Sequence, residues 1–461
     1  MSDTSPDTAA GPPHEGRAAV LLRGPFKVLR HPAFRAIWLG ALVSNVGNWM
    51  EGVGQSWEVQ RQTGSPFLVE LLASSEFIPS LLLTLFAGHL ADRLDRRKLV
   101  LWGQAGLMVQ AAVLAALAHF KLASATVIIV VSFLEGAAWT LVQPAWQALM
   151  PSLVPREELP QAIALNSAQF NVARLSGPVL AGAILAVSSA AFVFDLNALS
   201  FVAILAALFF VRIDAAITKP KHDAVQPFPE KESLAEEERG VKHAIRWALT
   251  TPGPRRLLLG ISVFSFLAAP VQGLMAVYAD DLLHVGPHGY GFLLGSLGFG
   301  ALCGALSLSQ LPKSYPRHHL IPLSMVAYAM AAVAYGFSQW MLLSCAALAV
   351  AGVFWVWSLS SSSTAMQLLV PERLRGRGLS VLTLATMGPL PMGHLLAGAI
   401  AHQTNARVAV VGFTILLAVF AMWASFSREP GIDGGAKSAN RKSRDFLEEV
   451  REMFTAESHR S

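Results

Sequence analysis

The chain has 461 residues, 53% of them hydrophobic and only 14% charged, with a mean hydropathy of +0.48 and a net charge of +5. Soluble domains carry about 25% charged residues, so a string of soluble domains is excluded and an all-α protein crossing the membrane many times is expected. The basic excess does not point to nucleic acid, because the basic residues sit beside the apolar runs.

Residues 1–34 are polar, lack the apolar core of a signal peptide, and are expected to form a disordered cytoplasmic tail. Apolar runs long enough to span a bilayer follow at 36–58, 67–90, 99–118, 122–147, 161–187 and 190–211, within a first six-helix bundle at 35–211. A polar linker at 212–256 carries an amphipathic helix with Val241, Ala244, Ile245, Ala248 and Leu249 on one face, broken by Pro252 and Pro254. A second bundle at 257–427 holds runs at 257–281, 289–310, 320–337, 339–364, 375–401 and 405–427. The tail at 428–461 contains a second amphipathic stretch, Asp445 to Phe454. Each amphipathic piece reads as a connector or a docking element. Cys303 and Cys345 lie in separate apolar runs, as packing residues, and no metal site is expected.

Of the 35 Lys and Arg residues, 31 fall on the side of the two termini, three (Arg61, Lys121, Arg407) on the opposite side, and Arg174 inside a span. The positive-inside bias then places both termini and the linker in the cytoplasm, in the inner membrane. The chain also repeats itself. Gln147-Ala-Leu-Met-Pro151 resembles Gln367-Leu-Leu-Val-Pro371, and Leu180-Ala-Gly-Ala-Ile184 recurs as Leu396-Ala-Gly-Ala-Ile400. Offsets near half the chain predict twelve transmembrane helices in two pseudo-symmetric halves of six.

Polar residues inside spans are expensive and usually face a cavity or a partner. Ser44, Asn48, Glu51, Gln55 and Glu58 form a stripe on span one, and Ser132, Glu135, Trp139, Gln143 and Trp146 another on span four. Span seven contributes Gln272, and span ten Trp357 with the Ser360–Ser363 run. Bringing these equivalent helices together would line one central pocket. Glu76 and Arg174 complete the deep charges of this reading, and Arg174 is expected to pair with Glu51, Glu76 or Glu135. Such a pair is either a static brace or part of a proton site. With His394 the comparable group of the second half, proton work is expected in the first. The chain contains no Gly-Lys dipeptide, so no P-loop, and no HExxH motif; no enzyme is expected.

The loop Gly88-His-Leu-Ala-Asp92-Arg93-Leu-Asp95-Arg96-Arg97-Lys98 packs six charges into eleven residues between spans two and three. It resembles the signature loop of the major facilitator superfamily of secondary transporters, with Asp95 where that family usually has a second glycine. Arg174-Leu-Ser-Gly177-Pro178-Val-Leu-Ala181-Gly182 resembles the superfamily's antiporter motif, Ala181 replacing one glycine, and Gly388-Pro-Leu-Pro391 fits a second bending helix in span eleven. Span four lacks the arginine that such antiporters often carry; Ser132 holds its place. The stretch Pro144 to Leu159 and the Gly-Val-Lys-His-Ala-Ile-Arg-Trp linker are similar to the bacterial branch that includes the enterobactin exporter and macrolide efflux pumps. The resemblance implies a monomeric carrier in membrane lipid that needs no cofactor beyond the proton motive force. It would exchange protons for a small amphipathic solute such as a siderophore or drug, with uptake the alternative. Gly88, Asp92, Arg93, Arg96, Arg97, Gly177, Pro178 and Gly182 would serve gating, Asp92 by latching onto the start of span eleven and the arginines by pairing with acidic loop residues or lipid phosphate.

Overall fold

The computed structural model of the protein describes residues 25–211, 245–311, 317–371 and 374–426. A 3-10 turn, Pro25–Arg30, precedes α1 (Pro32–Thr63), α2 (Pro66–Arg93), α3 (Arg96–His119), α4 (Ala125–Ser152), α5 (Leu159–Val187) and α6 (Ala190–Phe210). The second set is α7 (Pro252–Gly273), α8 (Gly286–Gln310), α9 (Arg317–Phe337), α10 (Met341–Leu369), α11 (Arg375–Met387 continued as Pro389–Gln403) and α12 (Ala406–Phe426). Eleven of these are long and apolar enough to cross a membrane. The exception is α1, whose polar stripe lowers its hydropathy. Its 32 residues would still reach about 48 Å at 1.5 Å per residue, and it packs along α5 and α6. Large apolar side chains such as Leu342 (83% exposed) and Trp423 (67%) point outward, as lipid-facing positions require.

Local sequence sets the helix ends. Ser65, Asp95 and Ser124 accept hydrogen bonds from the first-turn amides of α2, α3 and α4, satisfying donors that a helix N-terminus leaves free. Asp95, the odd residue of the charged loop, is therefore the N-cap of α3. Gly64 ends α1 in the left-handed region at φ 56°, where a side chain would be strained. Pro252 opens α7 as a first-turn proline, so the Pro-Gly-Pro run starts a spanning helix five residues earlier than the apolar pattern suggests, after a helical stretch at 245–250. Residues 212–244 and the tail segment Asp445 to Phe454 lie outside the described residues.

The expected disorder of 1–34 needs correcting for its last ten positions. Val28 and Phe34 are fully buried, and the turn is held by Glu158 in the loop between α4 and α5. That carboxylate receives Arg30 Nη2 at 2.5 Å and His31 Nε2 at 2.8 Å, with Lys27 Nζ at 3.4 Å.

Two crossings join the halves. In the first, α5 lies on α8 through glycines whose missing side chains leave the room: a Cβ on Gly291 would sit 2.4 Å from the Pro178 carbonyl, and one on Gly182 2.7 Å from the Pro287 carbonyl. Gly177 does the same for α5 on α1, where a Cβ would sit 2.5 Å from Trp49 Cβ. In the second crossing, the Pro389–Gln403 part of α11 packs along α2, while the Arg375–Met387 part touches it lightly. The two parts meet at Gly388, just before the Pro389 and Pro391 of the run expected to bend span eleven, with the backbone at Gly388 itself in helical geometry. Further inter-half contacts gather at the end of the bundle away from the termini, here the far end: Gln60 Nε2 donates to Asp280 and Asp281 (3.3 and 3.2 Å), and Trp57 stacks on Tyr290 at 6.3 Å.

Candidate functional site

The stripe on α1 does not face a chamber between the halves. Glu51 is fully buried, and its carboxylate turns into the first bundle. There it accepts Gln55 Nε2 and Gln110 Nε2 on one oxygen, both at 3.0 Å, and Asn197 Nδ2 on the other. Gly47 makes the space, since a Cβ there would sit 2.4 Å from Asn197 Oδ1. The physical reason is simple: α3 and α6 supply amide donors, and three hydrogen bonds to a buried carboxylate outweigh exposure to the inter-half gap. Gln55 also donates to Glu135 at 3.2 Å, so one amide links the carboxylates of α1 and α4. Glu135 in turn lies within electrostatic reach of Glu76.

Glu76 differs from the rest: it is exposed although it lies at the middle of α2. The backbones of α2 and α4 touch there, a Cβ on Gly136 being only 2.3 Å from the Glu76 carbonyl. Trp139 and Gln143 line a small cavity of about 20 Å³ inside the first bundle, together with Ser44 and Gln104; that volume admits about one water. Asn48 Oδ1 is buried without a partner, and Glu58 pairs at the far surface with Arg61 at 2.6 Å. In the second half, Trp357 is turned into its own bundle, its indole N–H donating to the Gly304 carbonyl at 3.0 Å. Gln272 is half-buried at the end of α7.

The expected pairing of Arg174 is absent. Among the described residues no carboxylate lies within 4.0 Å of its guanidinium, which instead stands 5.8 Å above the Trp49 ring with Tyr328 of the second half as its electrostatic neighbour. The carboxylates of α1, α2 and α4 gather around Gln55, whereas Arg174 leaves α5 on the face toward Trp49 and α8. A cation over an aromatic ring gains about 0.5–2 kcal/mol, against about 2.5–3.5 kcal/mol to insert an arginine at mid-span. The aromatic contact alone does not balance that cost.

Arg97 also differs from expectation. Rather than an acidic residue or a phosphate, it takes the last carbonyls of α6, with Nε 3.0 Å from Leu208 O and Nη2 2.8 Å from Val211 O. A cation there satisfies orphan carbonyls and the negative helix end. Arg96 opens α3 at its first residue. Gly88, Asp92 and Arg93 fall on the final turns of α2, and the Asp92 contact to span eleven lies outside what is described.

Sequence reasoning missed Glu70. Four residues past Pro66, it reads as the interfacial end of span two; packing against α11 instead leaves it fully buried. Its Oε2 meets His394 Nδ1 across the two halves, and its Oε1 has no partner among the described residues. Around the pair the walls are tight: a Cβ on Gly398 would sit 2.8 Å from Glu70 Cβ, Ser74 Oγ donates to the Pro391 carbonyl at 3.1 Å, and Phe77 stacks on the His394 ring at 6.3 Å. His394 is thus a buried, hydrogen-bonded residue whose partner lies in the first half. A single histidine in an apolar span was the available signal. Gln110 and Asn197, amides inside predicted spans, were the signal for the Glu51 cluster.

The sequence profile of the transmembrane secretion effector family matches residues 23–455. Relatives include the enterobactin exporter EntS of Citrobacter koseri, 26% identical over 84% of this chain and 90% of that protein. The staphyloferrin A transporter of Staphylococcus aureus is 24% identical over 76% and 85%. Among solved structures, the nucleoside transporter NupG superposes with a TM-score of 0.65 at 14% identity, over 86% of this chain and all of that one. A D-xylose–proton symporter gives 0.66 at 13%, over 88% and 99%. These are transporters rather than enzymes, and they share the two-bundle fold. With twelve long helices among the described residues, in two joined bundles, and a family match over nearly its whole length, this multi-pass membrane protein belongs to the transmembrane secretion effectors of the major facilitator superfamily, carriers of small molecules.

Proposed function

We propose that this transporter exports a small amphipathic molecule, of the siderophore or drug type, in exchange for protons, by alternating access, as a monomer with both termini in the cytoplasm. The observation that carries the reading is the linked carboxylate set, Glu51 and Glu135 bridged by Gln55 with Glu76 open beside them. Buried carboxylates at mid-span are costly unless they bind and release something, and a proton is the ligand such a group takes. Glu76 is the entry, because it is the accessible member; Glu51, fully enclosed by amides, is the stabilising one. The relatives support export of siderophore-like solutes: one is an enterobactin exporter and another a staphyloferrin A transporter. The far-end contacts support a resting state closed there, with rocking about the α5–α8 and α2–α11 crossings.

Comparing metabolites in the medium of cells with and without this protein tests the substrate and direction together. Export predicts an amphipathic compound that falls in the medium and rises inside cells lacking the protein. The reverse pattern, accumulation in the medium of the deficient cells, would replace export by uptake.

A further inference from the structure

Arg174 is a cation the transport reading does not use. It sits about 15 residues along the 29-residue α5, so about 20 Å of helix separates it from either end. Lipid headgroups do not reach that depth. Its guanidinium stands over the aromatic face of Trp49, and its backbone lies at the α5–α8 contact between the halves, where a Cβ on Gly298 would sit 3.1 Å from the Arg174 carbonyl. Tyr328 cannot serve as a counter-ion: its hydroxyl donates to the Ala268 carbonyl at 3.3 Å. The side chain is half-buried, not sealed, so a solute entering between the halves can meet it. Arginine does not shed its proton in a protein, and all five of its N–H donors seek acceptors.

We infer that Arg174, with Trp49 beside it, is the anion-recognition point for the transported solute, which therefore carries a carboxylate, phenolate or similar anionic group next to an apolar or aromatic body. The solute supplies the counter-charge that no described residue provides. A guanidinium binds such a group in two parallel hydrogen bonds, while Trp49 and Phe170, edge-to-face at 5.9 Å, form an aromatic wall beside it. Omitting a built-in carboxylate also explains why the guanidinium stays available: an internal ion pair would have to break each time a solute bound. This names the chemical class of solute for the transport reading above, and it holds for either direction of movement.

The test is binding to the purified full-length protein in detergent, with no gradient present, so that a failure of proton coupling leaves its outcome intact. Calorimetry compares 1-naphthoate with 1-naphthamide, which have nearly the same shape and differ in charge. The expected result is at least about tenfold tighter binding of the naphthoate, a preference abolished in Arg174→Gln and only partly kept in Arg174→Lys, whose ammonium keeps the charge and loses the paired geometry. Equal affinity of the two probes, no naphthoate binding, or a preference that survives Arg174→Gln overturns the inference. So does complete displacement of naphthoate by chloride at equal concentration, which would make this an inorganic-ion site. If Arg174→Gln fails to fold, the wild-type comparison and the Arg174→Lys variant still decide.

Discussion

Replacing His394 by Ala removes the one partner that the Glu70 carboxyl has among the described residues. Both of its oxygens are then left buried and unsatisfied, because Oε1 has none already and Gly273, Gly398 and Ser74 enclose the group. A hydrogen bond to a charged group is worth about 1.5–3 kcal/mol. Since this one joins α2 to α11, the loss falls on the arrangement in which the far ends of the halves touch. Converted at 1.4 kcal/mol per factor of ten, it shifts the balance between far-closed and far-open forms by roughly 10- to 150-fold toward opening. Spin labels on Thr63→Cys and His288→Cys, exposed at the far ends of α1 and α8, read the separation once Cys303 and Cys345 are changed to Ser. The pair at rest gives one short distance, and His394→Ala adds a longer population. The double variant Glu70→Leu with His394→Ala leaves no stranded carboxyl and recovers part of the short population. Identical distance distributions in wild type and His394→Ala would refute the claim that this contact closes the far end.

At the α5–α8 crossing, Gly291→Val drives a side chain into the Pro178 carbonyl at 2.4 Å and the Gly182 Cα at 3.0 Å. Thermal unfolding is expected to show a loss of about 1–3 kcal/mol, while Gly260→Ala, with nothing within 4 Å, leaves the midpoint unchanged; equal midpoints would contradict the tight crossing. Arg97→Ala strands the carbonyls at the end of α6 and is expected to cost about 1–3 kcal/mol. Arg97→Lys recovers only part, because an ammonium cannot fork between two carbonyls; full recovery by lysine would mean that charge alone matters there. Glu158→Gln weakens the hold on Lys27, Arg30 and His31, and trypsin should then cut after Lys27 and Arg30 several-fold faster, with Glu157→Gln as the unaffected control.

The fold was largely written in the hydropathy of the chain. Eleven spans meet a length-and-apolarity test, and the Gly388 junction and the small residues from Gly177 to Gly182 lie where their chemistry placed them. What misled was direction. Spacing puts Glu51 and Gln55 on one face of α1 but cannot say which neighbour that face meets, and the donors that decided it, Gln110 and Asn197, are single amides on two other long helices, α3 and α6. For Arg174 the expectation that a buried cation needs a carboxylate missed the alternative of an aromatic face and a partner from outside the chain. Glu70 was hidden by position, since a carboxylate one turn into a helix ordinarily reaches water, and only the packing of α11 removes that route. Asp95, at odds with the family pattern, turned out to answer a local need at the start of α3.

The most direct test of proton-coupled transport uses proteoliposomes and the solute identified by the metabolite comparison, with pH gradients of either sign imposed across the membrane. Coupling through the carboxylate cluster predicts that the solute accumulates against its concentration gradient on the acidic side. It also predicts that Glu76→Gln and Glu135→Gln each reduce this to simple equilibration while solute binding persists. Accumulation that ignores the sign of the gradient, or that survives both substitutions unchanged, would contradict it.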